Sequence, residues 1–154
     1  LFKKSFQIGT VALTDKFISA SKPNADEIIR MEKFIRKIFN GLNIYSNMNL
    51  TAVGVGGTPT SLSGMLQNIF EYDKEKIEGA VILRDELNNL SGILSKLSSS
   101  EILEKYGTMV EGRNDVIFAG SIILKIIFSI FNLNEIIVSG KGLRYGVVYS
   151  KYLI

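Results

Sequence analysis

Two short apolar runs, each followed by a glycine-rich turn and then a helical pattern, constrain the fold of this chain most. Residues 50–55 (LTAVGV) lead into the turn GGTPTS, and residues 135–139 (EIIVS) lead into Gly140, Lys141 and Gly142. Apolar runs this short are typical of buried strands rather than helices. Two strand–turn–helix units therefore predict an α/β domain whose parallel strands are joined by right-handed crossovers.

Helical patterns account for most of the remaining sequence. The segment 21–27 offers a cap, a proline and two acids, and it predicts a helix to about Asn40 that ends at Gly41. Loose alternation predicts a further strand over residues 4–8, followed by a short helical or irregular connection over 10–18. A further predicted helix covers residues 62–70 and is entered through Pro59 or Thr60. The other predicted helices cover about 84–97, 99 or 100 to 106, 115–131 and 143–153.

The length of 154 residues and the lack of repeats or linkers indicate one folding unit. The apolar stretch 116–131 contains Lys125 and is shorter than the roughly 18 to 20 residues that span a bilayer, so we expect a buried helix and no membrane partner. The formal net charge of +3 is mild and forms no basic stripe, so no nucleic-acid partner is expected.

The chain has neither His nor Cys. Imidazole bases, thiolate nucleophiles and zinc sites are therefore excluded, and any chemistry must use carboxylates, hydroxyls, Lys, Arg, backbone amides or an oxygen-ligated metal. No two carboxylates lie close enough in sequence, in suitable loops, to suggest an acid and a base.

Both glycine turns should lie at the carboxyl ends of strands, where α/β sheets bind ligands. Glycine lets the backbone approach an oxyanion closely, and Thr58, Thr60 and Ser61 add hydroxyl donors, so phosphate is the expected ligand. The alternative is that these glycines only form tight turns and allow close helix packing. The sequence contains no Walker motif, and Pro59 occupies the third glycine position of a dinucleotide fingerprint.

Two arginines lie close to these elements in sequence. Arg113 precedes the long helix and Arg144 follows the second glycine turn. A guanidinium can bind two phosphate oxygens at once, but either arginine could instead form a salt bridge or cap a helix carbonyl.

Three stretches of the chain, residues 6–17, 52–62, and 112–124 with 137–146, resemble the second domain of the exopolyphosphatase and guanosine pentaphosphate phosphohydrolase (Ppx/GppA) family. Their order and spacing match over nearly the whole chain. The resemblance implies a ribonuclease-H-like domain with a mixed sheet flanked by helices, a fold shared with actin, sugar kinases and heat-shock ATPases. It also implies a cytoplasmic enzyme, a possible homodimer, that uses Mg²⁺ to release terminal phosphate from polyphosphate or guanosine pentaphosphate.

The resemblance implies which residues line the ligand cleft, but it carries no catalytic residue or metal ligand onto this sequence. It implies that residues 1–154 lack the first strand of the domain, with its Asp-x-Gly-Gly-Gly-Ser loop. The catalytic Glu and the first domain would lie upstream of Leu1, so the chain alone should be inactive. The alternatives are a non-catalytic polyphosphate- or alarmone-binding module and an ATP-using phosphotransferase of the same superfamily. The residues implied to contact ligand are Gly56, Gly57, Thr58, Arg113, Gly142 and Arg144.

Overall fold

A mixed sheet of three strands organises the chain in the computed structural model, which describes residues 3–40, 42 and 50–152. The strands are β1 (Val53–Val55), β2 (Val81–Leu83) and β3 (Glu135–Ser139), and β3 lies in the middle. It pairs in parallel with β1 and antiparallel with β2. Val55 is registered with Ser139, so the turns after β1 and β3 leave the same edge of the sheet. The predicted parallel pair is confirmed.

Each helix predicted from the sequence is present, with small differences at the ends. The predicted ends at Gly41 and Leu153 lie outside the described residues. The helices are α1 (Thr10–Phe17), α2 (Ala25–Ile38), α3 (Gly57–Leu66), α4 (Lys74–Ile77), α5 (Arg84–Leu94), α6 (Ser99–Tyr106), α7 (Ile117–Ile130) and α8 (Leu143–Tyr152), with a 3-10 turn at Gly107–Val110.

Helix α3 begins at Gly57, two or three residues before the predicted entry at Pro59 or Thr60, and ends at Leu66. It can begin this early because Pro59 falls in its first turn, where a missing N–H removes no helical hydrogen bond. It ends early because Asn68 adopts a left-handed backbone conformation with φ of 54°.

Helix α7 is the centre of the core and packs against α1, α2, α3 and α5. Its polar residue Ser121 is fully buried, and its hydroxyl lies 3.0 Å from that of Ser91 on α5 and donates to the Phe118 carbonyl. The buried serines are thus satisfied within an otherwise apolar interface. None of the helices within residues 3–40, 42 and 50–152 has the length and apolar character needed to cross a bilayer.

Two strand assignments differ from the sequence predictions. Residues 4–8 are not a strand; the Ile8 N–H instead donates to the carbonyl of Phe6 in a local turn, and the Phe6 ring packs edge-on against Phe39. Strand β2 was not predicted, because its three residues run directly into α5. A short strand is stabilised by hydrogen bonds and packing with a neighbouring strand, and the neighbour of β2 is β3, which lies far along the sequence.

Candidate functional site

The first glycine turn leaves two backbone donors open at the start of α3. Gly56 has φ of 103° and ψ of −176°, a conformation essentially restricted to glycine, and it turns the chain sharply from β1 into the helix. No side chain among the described residues caps this helix. The N–H groups of Gly57 and Thr58 have no acceptor in the described part of the chain. These donors lie at the positive end of the helix dipole, which favours anions.

The Arg113 guanidinium lies directly against Gly57. A Cβ atom built on Gly57 would be 2.5 Å from Arg113 Nε and 2.7 Å from its Nη2. A side chain at position 57 would therefore displace the guanidinium from its place against the turn. The Arg113 side chain is exposed and makes no hydrogen bond or ion pair with any described residue. Its donors and the open N–H groups of α3 are consequently available on one side of the turn.

The hydroxyl groups near this turn serve mainly the fold. Thr58 packs closely against Gly120 of α7. A Cβ atom built on Gly120 would lie 2.7 Å from the methyl carbon of Thr58 and 3.0 Å from Thr58 Oγ1. Thr60 donates its hydroxyl to the carbonyls of Gly56 and Gly57, and Ser61 donates to the carbonyl of Met109. The hydroxyls of Thr60 and Ser61, expected as ligand donors, are thus already used within the protein.

The second glycine turn is occupied by a carboxylate of the protein itself. Glu78 accepts hydrogen bonds from the Gly140 N–H at 2.8 Å and the Ser139 hydroxyl at 3.0 Å. The ammonium group of Lys141 lies 3.8 Å from the same carboxylate. The Lys141 N–H donates to Ser139 Oγ, and the Gly142 N–H donates to the Gly140 carbonyl. The backbone donors of this turn are therefore all satisfied internally.

The environment of Glu78 keeps it ionised. Partial burial raises the pKa of its carboxyl group, but the hydrogen bonds from Gly140 and Ser139 and the charges of Lys141 and Lys74 outweigh burial. The net pKa lies below the ordinary value of 4.5. The second turn consequently carries a negative charge where the sequence suggested a phosphate site. Sequence reasoning missed Glu78, because no local motif marks a residue whose partners lie about 60 positions away.

The six residues implied to contact ligand fall into two groups. The structure brings Gly56, Gly57, Thr58 and Arg113 together around the start of α3. Gly142 and Arg144 follow the neighbouring strand β3. A Cβ on Gly142 would meet nothing within 4 Å, and Arg144 is exposed in the first turn of α8 without a hydrogen-bonding partner among the described residues.

The first group has the chemistry of an oxyanion site: two backbone N–H groups, a helix dipole and an unpaired guanidinium. A metal ion would require a different set of ligands. The residues that the structure describes include no group of three or more His, Cys, Asp or Glu that could hold an ion.

Known proteins resemble this chain over almost its full length. A bifunctional 3-dehydroquinate synthase/phosphatase of Fusobacterium nucleatum is 31% identical over 150 residues, covering 95% of this chain and 22% of that protein. A solved Ppx/GppA family member of Aquifex aeolicus is 33% identical with a TM-score of 0.86, covering 95% of this chain and 47% of that one. A solved exopolyphosphatase of Cytophaga hutchinsonii is 25% identical with a TM-score of 0.82, covering 97% and 49%.

This chain thus spans about half the length of those solved structures and about a fifth of the curated relative. Its mixed sheet flanked by helices is the actin-like ATPase fold of the solved relatives. The Ppx/GppA phosphatase family model matches residues 1–153. The chain therefore belongs to the Ppx/GppA phosphatase family.

Proposed function

We propose that this chain forms one wall of the phosphate-binding cleft of a phosphohydrolase that releases terminal phosphate from inorganic polyphosphate or guanosine pentaphosphate. One observation carries the proposal. The Arg113 guanidinium packs on Gly57 beside the open N–H groups of Gly57 and Thr58. Membership of the Ppx/GppA phosphatase family supports the hydrolase class.

The chemistry of this cluster suits a terminal phosphoryl group. In phosphoryl transfer, negative charge is spread over the three equatorial oxygens, and catalysis consists largely of positioning and charge stabilisation. Arg113 can bind two of these oxygens with its planar fork, while the N–H groups of Gly57 and Thr58 bind the third. The lack of side chains at Gly56 and Gly57 allows the phosphate to reach the backbone.

Mg²⁺ and the catalytic carboxylate belong to the proposal for the complete protein. Mg²⁺ neutralises phosphate charge when it is bound. The described residues include no group of three or more acidic side chains that could hold the ion by itself. We place the metal ligands and the carboxylate that orients the attacking water outside residues 1–154. Within this chain, Arg113 and the start of α3 bind and orient the phosphate.

Substitution of Arg113 in the complete protein tests the proposal. We expect Arg113→Gln to raise the KM for polyphosphate and for guanosine pentaphosphate about 10- to 100-fold, since a charge-assisted hydrogen bond contributes roughly 1.5–3 kcal/mol. Arg30→Gln is the matched control, because it removes the same charge from an exposed position on α2, where Arg30 forms an ion pair with Asp26. Phosphate release at varied substrate concentration gives both values.

Three results would contradict the proposal. Unchanged KM values in Arg113→Gln would remove Arg113 from the site. Tight polyphosphate binding by the complete protein without phosphate release would indicate a non-catalytic binding module. A clear preference for ATP over polyphosphate in calorimetric titration would indicate a phosphotransferase.

A further inference from the structure

A second group of basic side chains lines a separate cavity at the other end of β3. The Arg84 N–H donates to the Asn134 carbonyl and its Nε to the Leu133 carbonyl, which places Arg84 at the amino end of β3. The glycine turns follow the carboxyl end, about 20 Å away at the usual rise per strand residue. The cavity has a volume of about 170 Å³ and is lined by Glu32, Arg36, Arg84, Asn88, Lys125, Ile126, Phe128 and Ser129.

The charge around this cavity is strongly unbalanced. Arg36 on α2, Arg84 on α5 and Lys125 on α7 contribute three positive charges, against the single carboxylate of Glu32. The ammonium group of Lys125 lies 3.6 Å from Glu32 Oε1, which is a long distance for an ion pair. Both side chains are about one-third exposed, so solvent weakens their attraction. Neither acid of the first turn of α5 lines the cavity.

The basic side chains are held in place but keep free donors. Arg84 uses Nε and Nη2, the latter at 3.2 Å from Asn132 Oδ1, and no hydrogen bond is formed by its Nη1 within the described residues. Arg36 donates from Nη1 to Ser129 Oγ at 3.3 Å, and its Nη2 is likewise unused there. Two guanidinium groups from different helices are thus oriented by hydrogen bonds within the protein, which reduces the entropy lost on binding.

We propose that this cavity binds a phosphate-type oxyanion, at a site separate from the first glycine turn. The volume corresponds to about five or six water molecules, enough for one phosphoryl group with some water. Donors that come from three helices suit a tetrahedral anion better than a planar carboxylate, which a single guanidinium fork would satisfy. The bound anion joins α2, α5 and α7 and offsets the repulsion among their bases. This inference does not depend on the proposed phosphohydrolase function.

Nuclear magnetic resonance on the ¹⁵N-labelled 154-residue chain tests the site directly. Sodium phosphate and sodium tripolyphosphate are titrated at constant ionic strength while the amide signals of Asn88 and Ser129 are followed. We expect saturable shifts at these positions with both ligands. A shift with orthophosphate shows that the free anion suffices, and tighter binding of tripolyphosphate shows that the cavity also takes the end of a longer chain.

Three substitutions on one helix separate a built site from general attraction of anions. We expect Arg36→Gln to weaken binding at the cavity at least about tenfold, through loss of a charged donor. Glu32→Gln should tighten it about two- to fivefold by removing a nearby negative charge. Lys33→Gln, an exposed neighbour on α2 that does not line the cavity, should leave affinity unchanged.

The proposal is overturned if the Asn88 and Ser129 signals do not saturate, or if Lys33→Gln weakens binding as much as Arg36→Gln does. A failure of Glu32→Gln to tighten binding also counts against it, and this variant keeps the test valid should Arg36→Gln unfold. Arg113→Gln must leave the cavity shifts unchanged, because it alters only the first glycine turn. A negative result at the cavity is thereby distinguished from failure of the proposed function.

Discussion

The two glycine turns leave the same edge of the sheet but differ in what their backbone donors do. At the first turn, the N–H groups of Gly57 and Thr58 are open, and an unpaired Arg113 lies beside them. At the second turn, the Gly140 N–H is bound by Glu78, and Lys141 pairs with the same carboxylate. One turn presents open donors beside a guanidinium, while the donors of the other are bound by a carboxylate of the protein itself.

This difference shows that a glycine pattern after a strand does not by itself define a phosphate site. Whether such a turn can bind an anion depends on which side chain lies beside its open amides: a cation or a carboxylate from elsewhere in the sequence. Arg113 precedes α7 and Glu78 follows α4, so both deciding residues come from other elements of the fold. Substitutions and acid can each test the contrast between the two turns.

The backbone geometry at Gly56 should matter more than that at Gly142. We expect Gly56→Ala to lower the free energy of unfolding by about 1–3 kcal/mol, because the φ of 103° is accessible almost only to glycine. Gly142 lacks a positive φ and a Cβ there meets nothing, so Gly142→Ala should change stability by less than about 0.5 kcal/mol. Urea unfolding measures both values, and equal losses would remove the contrast in backbone strain.

A methyl group at position 57 should displace Arg113 without unfolding the protein. The new Cβ would lie 2.5 Å from Arg113 Nε, but the end of an exposed arginine can move aside at little cost. We expect Gly57→Ala to weaken phosphate binding at the first turn about tenfold, or about 1.4 kcal/mol. Gly142→Ala is the matched control and should bind phosphate like the unmodified chain. Unaltered affinity in Gly57→Ala would mean that the Arg113 contact plays no part in binding.

Removal of Glu78 should convert the second turn into a weak anion site. In Glu78→Ala the Gly140 N–H loses its acceptor and Lys141 loses its partner, so both become available to phosphate. We expect new phosphate-dependent shifts of these two amide signals, with an affinity at least about fivefold below that of the first turn, which has a guanidinium. Glu75→Ala removes a nearby exposed carboxylate as the control. If phosphate does not shift these two signals in Glu78→Ala, Glu78 is not what prevents anion binding at this turn.

Acid should affect the second turn and spare the first. Because the folded-state pKa of Glu78 lies below 4.5, its stabilising hydrogen bonds are fully present above that pH and are lost as the pH falls through the lowered value. The Gly140 amide signal should therefore titrate with a midpoint below 4.5, while the Gly57 signal stays nearly constant. Glu78→Gln should abolish the transition. A midpoint above 4.5 would contradict the assigned hydrogen bonds.

The sequence predicted the elements that carry their own local signals. Strand β3 was predicted with its observed bounds, and the segment preceding α2 was identified, where Asn24 and Glu27 form a capping box. Strand β2 was missed because its three residues merge with the start of α5. The prediction of a strand over residues 4–8 was wrong, because these residues pair with no strand in the described part of the chain.

Long-range side-chain contacts limited how much of the candidate site could be predicted from the sequence. Arg113 was named as a ligand candidate, but its contact with Gly57 follows only from the fold that brings the 3-10 turn and α3 together. The occupation of the second turn by Glu78 was not predicted, because carboxylate and turn are joined only when the end of α4 approaches the end of β3. Sequence patterns identify which donors exist, and tertiary contacts decide which of them stay free.

The parallel pairing of β1 with β3 also has a kinetic meaning. It joins Val53 to Ile137, residues at distant points of the sequence, whereas most of the helices can form from neighbouring residues. Contacts of such long range require closure of a large loop and therefore form slowly. The start of α3 is fixed relative to β3 only after this closure. Anion binding at the first turn, which needs Arg113 beside Gly57, should likewise report long-range contacts of the native fold rather than the presence of helices.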